Sequence, residues 1–429
     1  MGTFVEALSF PQNWPKTGPN HKPRTISEVG VRQAILEDLA LKTLYLSGPF
    51  SVYRLAEHTK LSFEVSNELF NRLREQQLCQ VTGMNSNVPN VAITSHGRSR
   101  AVELLSHSHY YGAAPVSLES YVEQVRKQSI RGVAARRADV ERAFQHLVVD
   151  DKTLWQLGTA INSGASIFLY GPSGVGKSAI AETLSRVLAE NEAWIPYAVE
   201  VDGQIITVYD PVIHKRIEDH GIESRDERWV RCHRPTVLVG GELTVEMLDL
   251  QFNPVTKFYV GPAQMKANNG VLIIDDFGRQ RIRPDELLNR WVVPLDRQID
   301  FLTLAGGRKI EVPFDMLVVF ATNMDPADLV DAAFLRRIQT KIKIGAVSDE
   351  QFCQIFRRFA GDLGLAVEDE VLSDLISTIR GRLKQELKGC FPRDLVNQVC
   401  WAARYEERKP QLDHAALARA VEAYFLPQA

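Results

Sequence analysis

Cysteine is scarce, with five in 429 residues (Cys79, Cys232, Cys353, Cys390 and Cys400) and no C-x-x-C pair. That scatter excludes a disulfide scaffold and fits a reducing compartment. Long apolar runs are missing too: none approaches the length of a membrane span. The N-terminus, with Glu6 and then prolines, lacks the charged and apolar regions of a signal peptide, so the expectation is a cytoplasmic chain with no membrane span. Excess charge is absent as well. A net charge of −3 and a pI near 6.4 argue against a protein that coats nucleic acid by bulk electrostatics and leave only local basic patches. The chain is 45% apolar and 24% charged, as globular proteins are, and its length points to two or three domains.

Against this plain background one stretch stands out: Gly171-Pro172-Ser173-Gly174-Val175-Gly176-Lys177-Ser178, preceded by the apolar run 166–170. The pattern is G-x-x-x-x-G-K-[ST] between a strand and a helix. Glycines at 171, 174 and 176 let successive N–H groups turn inward, and the helix N-terminus adds partial positive charge. Such a cradle takes a triphosphate, with Lys177 on its β- and γ-phosphates and Ser178 at one Mg²⁺ position. Ile180, Leu184, Val187 and Leu188 share one helical face, as the motif requires.

A second motif, Val271-Leu272-Ile273-Ile274-Asp275-Asp276, is a buried strand ending in two carboxylates. In a parallel sheet its carboxyl end lies beside the phosphate loop, so Asp275 can hold Mg²⁺ through water and Asp276 can polarise an attacking water. A further apolar strand, 316–322, ends at Asn323, whose amide can bond that water or the γ-phosphate.

Upstream, the proline-rich residues 1–25 read as a flexible arm. Residues 26–106 give helix, helix, helix, two strands around the loop 83–90, and a last helix. With the phrases "FSVYRLAEHTKLS" and "VAITSHGRSRAVELL", this layout resembles a winged-helix domain. DNA-binding members of that family place the third helix in the major groove. Here that helix exposes Glu64, Asn67, Glu68, Asn71, Arg72 and Glu75, so protein docking is preferred and duplex reading through Asn67 and Arg72 is the alternative. Residues 107–146 read as a linker and a basic helix from Tyr121 to Phe144, whose arginines suit a solvated face. Phe258-Tyr259-Val260-Gly261 is either a strand end or an aromatic pore loop, the former preferred.

Taken in order, "GPSGVGKS", "VLIIDD", "VVFATN", "AFLRRI" and "GCFPRDL" resemble the AAA+ ATPases over residues 147 to 426. The resemblance implies an α/β P-loop core at 147–347 with a parallel sheet, and an α-helical lid at 348–429. It also implies roles: Asn323 as the first sensor, Arg337 as an arginine finger acting on a neighbour's ATP, with Arg336 the adjacent candidate, and Arg393 as the lid sensor. Residue pairing offers a plainer use for these arginines, with Asp331 and Asp394. A finger supplied in trans needs a homo-oligomer, a hexameric ring in this family. The helix and hairpin read from 284 to 315 look like the branch of MoxR-type ATPases and enhancer-binding activators, although the activators' signature loop is missing. Asp276 stands where most members carry glutamate. The expected function is therefore Mg²⁺-dependent ATP hydrolysis coupled to remodelling of a protein client. A DNA-bound ATPase or loader and a slow nucleotide switch are the alternatives.

Overall fold

The computed structural model describes residues 19, 21–85, 88–189, 191–218, 225–329 and 332–425. Most of the expected arm at 1–25, and Asp331, lie outside these described residues.

A five-stranded parallel sheet carries the phosphate loop. Its order is Thr236–Val239, Val271–Ile274, Leu317–Thr322, Ile167–Tyr170, Thr340–Lys343. The phosphate-loop strand Ile167–Tyr170 thus pairs in parallel with a strand far downstream on each side. Ile167, Phe168, Ile273, Ile274, Val319 and Phe320 are all completely buried, as expected of strands covered on both faces. The α/β fold class expected from the sequence is what the chain adopts.

By contact density the chain forms two compact units. One comprises 1–134, 188–272 and 286–317; the other comprises 135–187, 273–285 and 318–429.

In the first unit, helices Gln33–Ser47, Val52–Thr59, Phe63–Glu75 and Ser95–His107 surround a three-stranded antiparallel sheet. Ser62 and Thr94 cap the third and fourth helices through their hydroxyls. The two long strands, Cys79–Asn85 and Val88–Ile93, take in most of the stretch expected to be a loop at 83–90. A mixed sheet follows, with the hairpin Ala198–Val201/Gln204–Thr207 turning at Asp202 and Gly203, both at positive φ. Phe258–Val260 is a strand of this sheet, paired on both sides; Tyr259 is buried and its hydroxyl accepts from Ala305 N at 2.6 Å. It is therefore no pore loop.

The basic helix expected from 121 to 144 is instead broken into Leu118–Lys127, a 3₁₀ turn Ile130–Gly132, and, in the second unit, Arg137–Phe144. Gln128 turns inward at the break: its Nε2 donates to Trp194 O (2.9 Å) and Asn269 Oδ1 (2.8 Å), and its Oε1 accepts from Trp194 N. Ser129 Oγ donates to Asp315 Oδ1 at 2.7 Å, and Asn269 Nδ2 donates to Asp315 Oδ2. These buried pairings offset the helical hydrogen bonds lost at the break.

The second unit holds the phosphate loop, the acidic turn and the C-terminal helices Asp349–Asp362, Asp369–Ser377, Phe391–Tyr405 and His414–Tyr424. Leu372, Leu375, Ile376, Ile379 and Leu387 form a buried apolar stripe, with Leu383 half-buried beside it and Phe352 and Phe356 in the same cluster. The stripe does not follow one straight helix, because a π turn at Thr378–Arg382 and a positive φ at Lys384 end it. Pro392 sits in the first turn of its helix, where no N–H is required.

Candidate nucleotide site

The phosphate loop leaves Tyr170 and re-enters a helix at Lys177–Ala189. A side chain at Gly171 (φ +142°) would place a Cβ 2.0 Å from the Ile344 carbonyl oxygen. One at Gly174 would meet Cys390 Sγ at 2.5 Å. These glycines are fixed by close approach of backbone and lid. The Gly174 carbonyl in turn accepts from Cys390 N at 2.9 Å, so "GCFPRDL" docks directly on the loop.

Lys177 is buried, and its Nζ donates to Gly171 O (2.9 Å), Pro172 O (2.7 Å) and Asn323 Oδ1 (2.6 Å). Asn323 Nδ2 then donates to Asp276 Oδ1 at 3.1 Å. Three motifs separated by 146 residues of chain thus meet in one hydrogen-bonded series. Burial pulls the Lys177 ammonium below the usual lysine value, and Asp275 and Asp276 oppose that shift.

The acidic turn is held in place from beneath. Phe277 N donates to Ala321 O (2.7 Å), Thr322 Oγ1 donates to Phe277 O (2.7 Å), and Gln280 Nε2 donates to Asp275 O (2.8 Å). Phe168, Phe277 and Phe320 pack as an aromatic triad with centroids 5.1 to 5.8 Å apart. Asp276 itself lies in the left-handed region, at φ +49°. That conformation is uncommon for a residue with a side chain, though aspartate tolerates it better than most.

A cleft of about 480 Å³ opens over these groups. Ser173 to Ser178, Asp275, Asp276, Asn323 and Arg393 line it, so the structure brings together nearly all the expected site residues. Arg393 is largely exposed, with Nε donating to Asp394 Oδ1 at 3.0 Å; Asp394 is also bonded by the Tyr424 hydroxyl at 2.9 Å. The plainer pairing considered for Arg393 is therefore present. Arg336 is exposed and Arg337 half-buried, and neither is among the residues lining the cleft of their own chain. Sequence reading missed one group of lining residues: His146, Val148 and Val149 before the core, and Val347, Ile355 and Arg358 from the lid. None belongs to a spaced motif; only the β-branched character of several hinted at an apolar wall.

The donor set fits Mg²⁺. Ser178 offers a hydroxyl and Asp275 a carboxylate in the same cleft, and Mg²⁺ characteristically takes one or two protein oxygens, with water and phosphate oxygens completing its shell. Among the described residues no group of three or more His, Cys, Asp or Glu is placed to hold a metal, and no helix is long and apolar enough to cross a membrane.

A family model described as a domain of unknown function (DUF8689) matches residues 348–423, within the C-terminal helices. No curated protein sequence matches the chain. Among solved structures it is similar to the RuvB Holliday junction branch migration motor of Thermotoga maritima, at 14% identity over 64% of this chain and 69% of that one (TM-score 0.38). A point mutant of the same RuvB is similar at 12% identity over 69% of this chain and 72% of that one (TM-score 0.37). NtrX from Brucella abortus in complex with ADP is similar at 15% identity over 78% of this chain and 67% of that one (TM-score 0.41).

Proposed function

We propose that the chain is an Mg²⁺-dependent ATPase of AAA+ type that works as a homo-oligomer, a hexameric ring, and remodels a partner protein or complex in the cytoplasm. The observation that carries this reading is the series Lys177–Asn323–Asp276 within the phosphate-loop cleft. Lys177 exchanges its carbonyl partners for the β- and γ-phosphate oxygens. Ser178 and Asp275 hold Mg²⁺, which when bound offsets phosphate charge. Asp276 polarises the attacking water while the Asn323 amide orients it. Arg393 reaches the nucleotide from the lid. Arg337, or the adjacent Arg336, acts on a neighbour's ATP, a role supported by its place in the "AFLRRI" motif. The helix Pro284–Arg297 and the hairpin Ile299–Thr303/Lys309–Pro313 support placement near the MoxR-type and enhancer-binding-activator branch.

The N-terminal domain is read as a winged helix that docks protein. Arg72, the basic side chain best placed for a base contact, is bonded by Glu68 at 3.1 Å, which weakens the DNA-loader alternative. A second reading, a slow nucleotide switch, draws on Asp276, whose short carboxylate is already engaged by Asn323.

Phosphate release from Mg²⁺–ATP distinguishes the two. For the ATPase, Asn323→Ala lowers kcat about a hundredfold, the scale of one lost transition-state hydrogen bond, while ATP affinity stays within about threefold. Tight ATP binding by the wild type with no multiple turnover would replace the ATPase with the switch.

A further inference from the structure

Arg358 stands one turn after Ile355 on the lid helix Asp349–Asp362, a spacing that puts both on one face, and both line the nucleotide cleft. Its Nη1 donates to the Gln145 carbonyl at 2.8 Å. Gln145 is the C-cap of helix Arg137–Phe144, where unpaired carbonyls carry the negative end of the helix dipole. The guanidinium is thus held at one edge of the cleft by backbone.

Charge accounting separates Arg358 from the other cations of the cleft. Lys177 faces Asp275 and Asp276, and Arg393 pairs with Asp394. Among the described residues Arg358 forms no ion pair, and its one side-chain hydrogen bond leaves further N–H donors of the planar fork for a ligand. The neighbouring His146 also lines the cleft, its Nε2 lying 3.2 Å from Thr183 Oγ1 and 3.3 Å from Arg186 Nη1. Burial first, then Arg186 and more weakly Arg358, holds its ring below the usual histidine value. Val148, Val149, Val347 and Ile355 line the same cleft and supply apolar walls of the kind that a flat ring system packs against.

We propose that Arg358 is the residue through which the lid grips the nucleoside half of the bound nucleotide, its guanidinium donating to ring acceptors of a nucleobase packed among those aliphatic side chains. This inference rests on the nucleotide reading above and extends it to a part of the ligand that the sequence motifs do not address. Because Arg358 belongs to the lid and Gln145 to the segment entering the core, the contact also ties lid position to occupancy by the base.

Calorimetric titration of the full chain with ATP and, separately, with tripolyphosphate, both in Mg²⁺, tests the assignment. Arg358→Ala weakens ATP about tenfold and leaves tripolyphosphate within about twofold; Arg358→Lys, which keeps the charge without the fork, recovers part of the ATP affinity. Unchanged ATP affinity in Arg358→Ala would overturn the inference, as would equal weakening of both ligands, the mark of a damaged lid. Equal wild-type affinity for the two ligands would also overturn it. A wild type that binds neither would instead remove the ATPase reading on which it rests.

Discussion

Lys177→Ala lowers Mg²⁺-dependent phosphate release by roughly a hundred- to ten-thousandfold. The ammonium sits at the meeting point of three oxygens, Gly171 O, Pro172 O and Asn323 Oδ1, at 2.6 to 2.9 Å. A charge-assisted hydrogen bond is worth about 1.5–3 kcal/mol, and a phosphate-bound lysine makes at least two, so the loss spans about two to four decades. Lys177→Arg is expected to fail as well. Three acceptors arranged around one buried nitrogen suit a compact ammonium with three donors, and a planar guanidinium cannot place its fork in that space. Steady-state phosphate release decides the matter, and turnover within tenfold of wild type in either variant would contradict the assignment.

Asp226→Ala destabilises the fold by about 3–5 kcal/mol, the cost of leaving a buried arginine without its counter-charge. Arg228 and Asp226 are 5% and 6% exposed, and the pair is bidentate, with Nε to Oδ1 at 3.0 Å and Nη2 to Oδ2 at 2.7 Å. The remaining nitrogen, Nη1, donates to Val29 O (2.8 Å) and Pro115 O (3.0 Å), so one guanidinium fastens two N-terminal segments. Removing the carboxylate disturbs all of these bonds. For a unit of this size each kcal/mol moves Tm by about 2–4 °C, which gives a fall of roughly 6–20 °C. Replacing both residues by apolar ones of similar volume is expected to recover much of the loss, because two charges then no longer need desolvation. Thermal unfolding of Asp226→Ala with a shift below about 2 °C would show that the pair is not structural in this way.

The elements that local pattern determines were legible in the sequence. The apolar strands 271–274 and 317–322 were readable because both faces are covered, which leaves an unbroken apolar run with its polar residue at the carboxyl end. The hairpin around Gly306 and Gly307 announced itself through glycines that adopt positive φ. That Lys177, Asp276 and Asn323 come together was legible because each follows a strand or loop whose direction is fixed by the sheet. What could not be read depended on partners distant in sequence. The break after Lys127 follows from Gln128 bonding Trp194 and Asn269, 66 and 141 residues away. Arg358 was invisible for the same reason: nothing around it distinguishes it from Arg357, which pairs on the surface with Asp369. The π turn at Thr378–Arg382 could not be read either, since burial of Ile379 and Leu387 is compatible with either backbone.

The measurement that bears most directly on the central claim is ATP hydrolysis per protomer over a wide range of protein concentration, for the wild type and for Arg337→Ala. An oligomer that completes its site with a neighbour's guanidinium gives a specific rate that rises with concentration and saturates. In Arg337→Ala that rate collapses by about a thousandfold while ATP binding persists, the scale expected of an arginine acting in trans on phosphoryl transfer. A low rate that is independent of concentration and insensitive to the substitution would contradict catalysis between subunits.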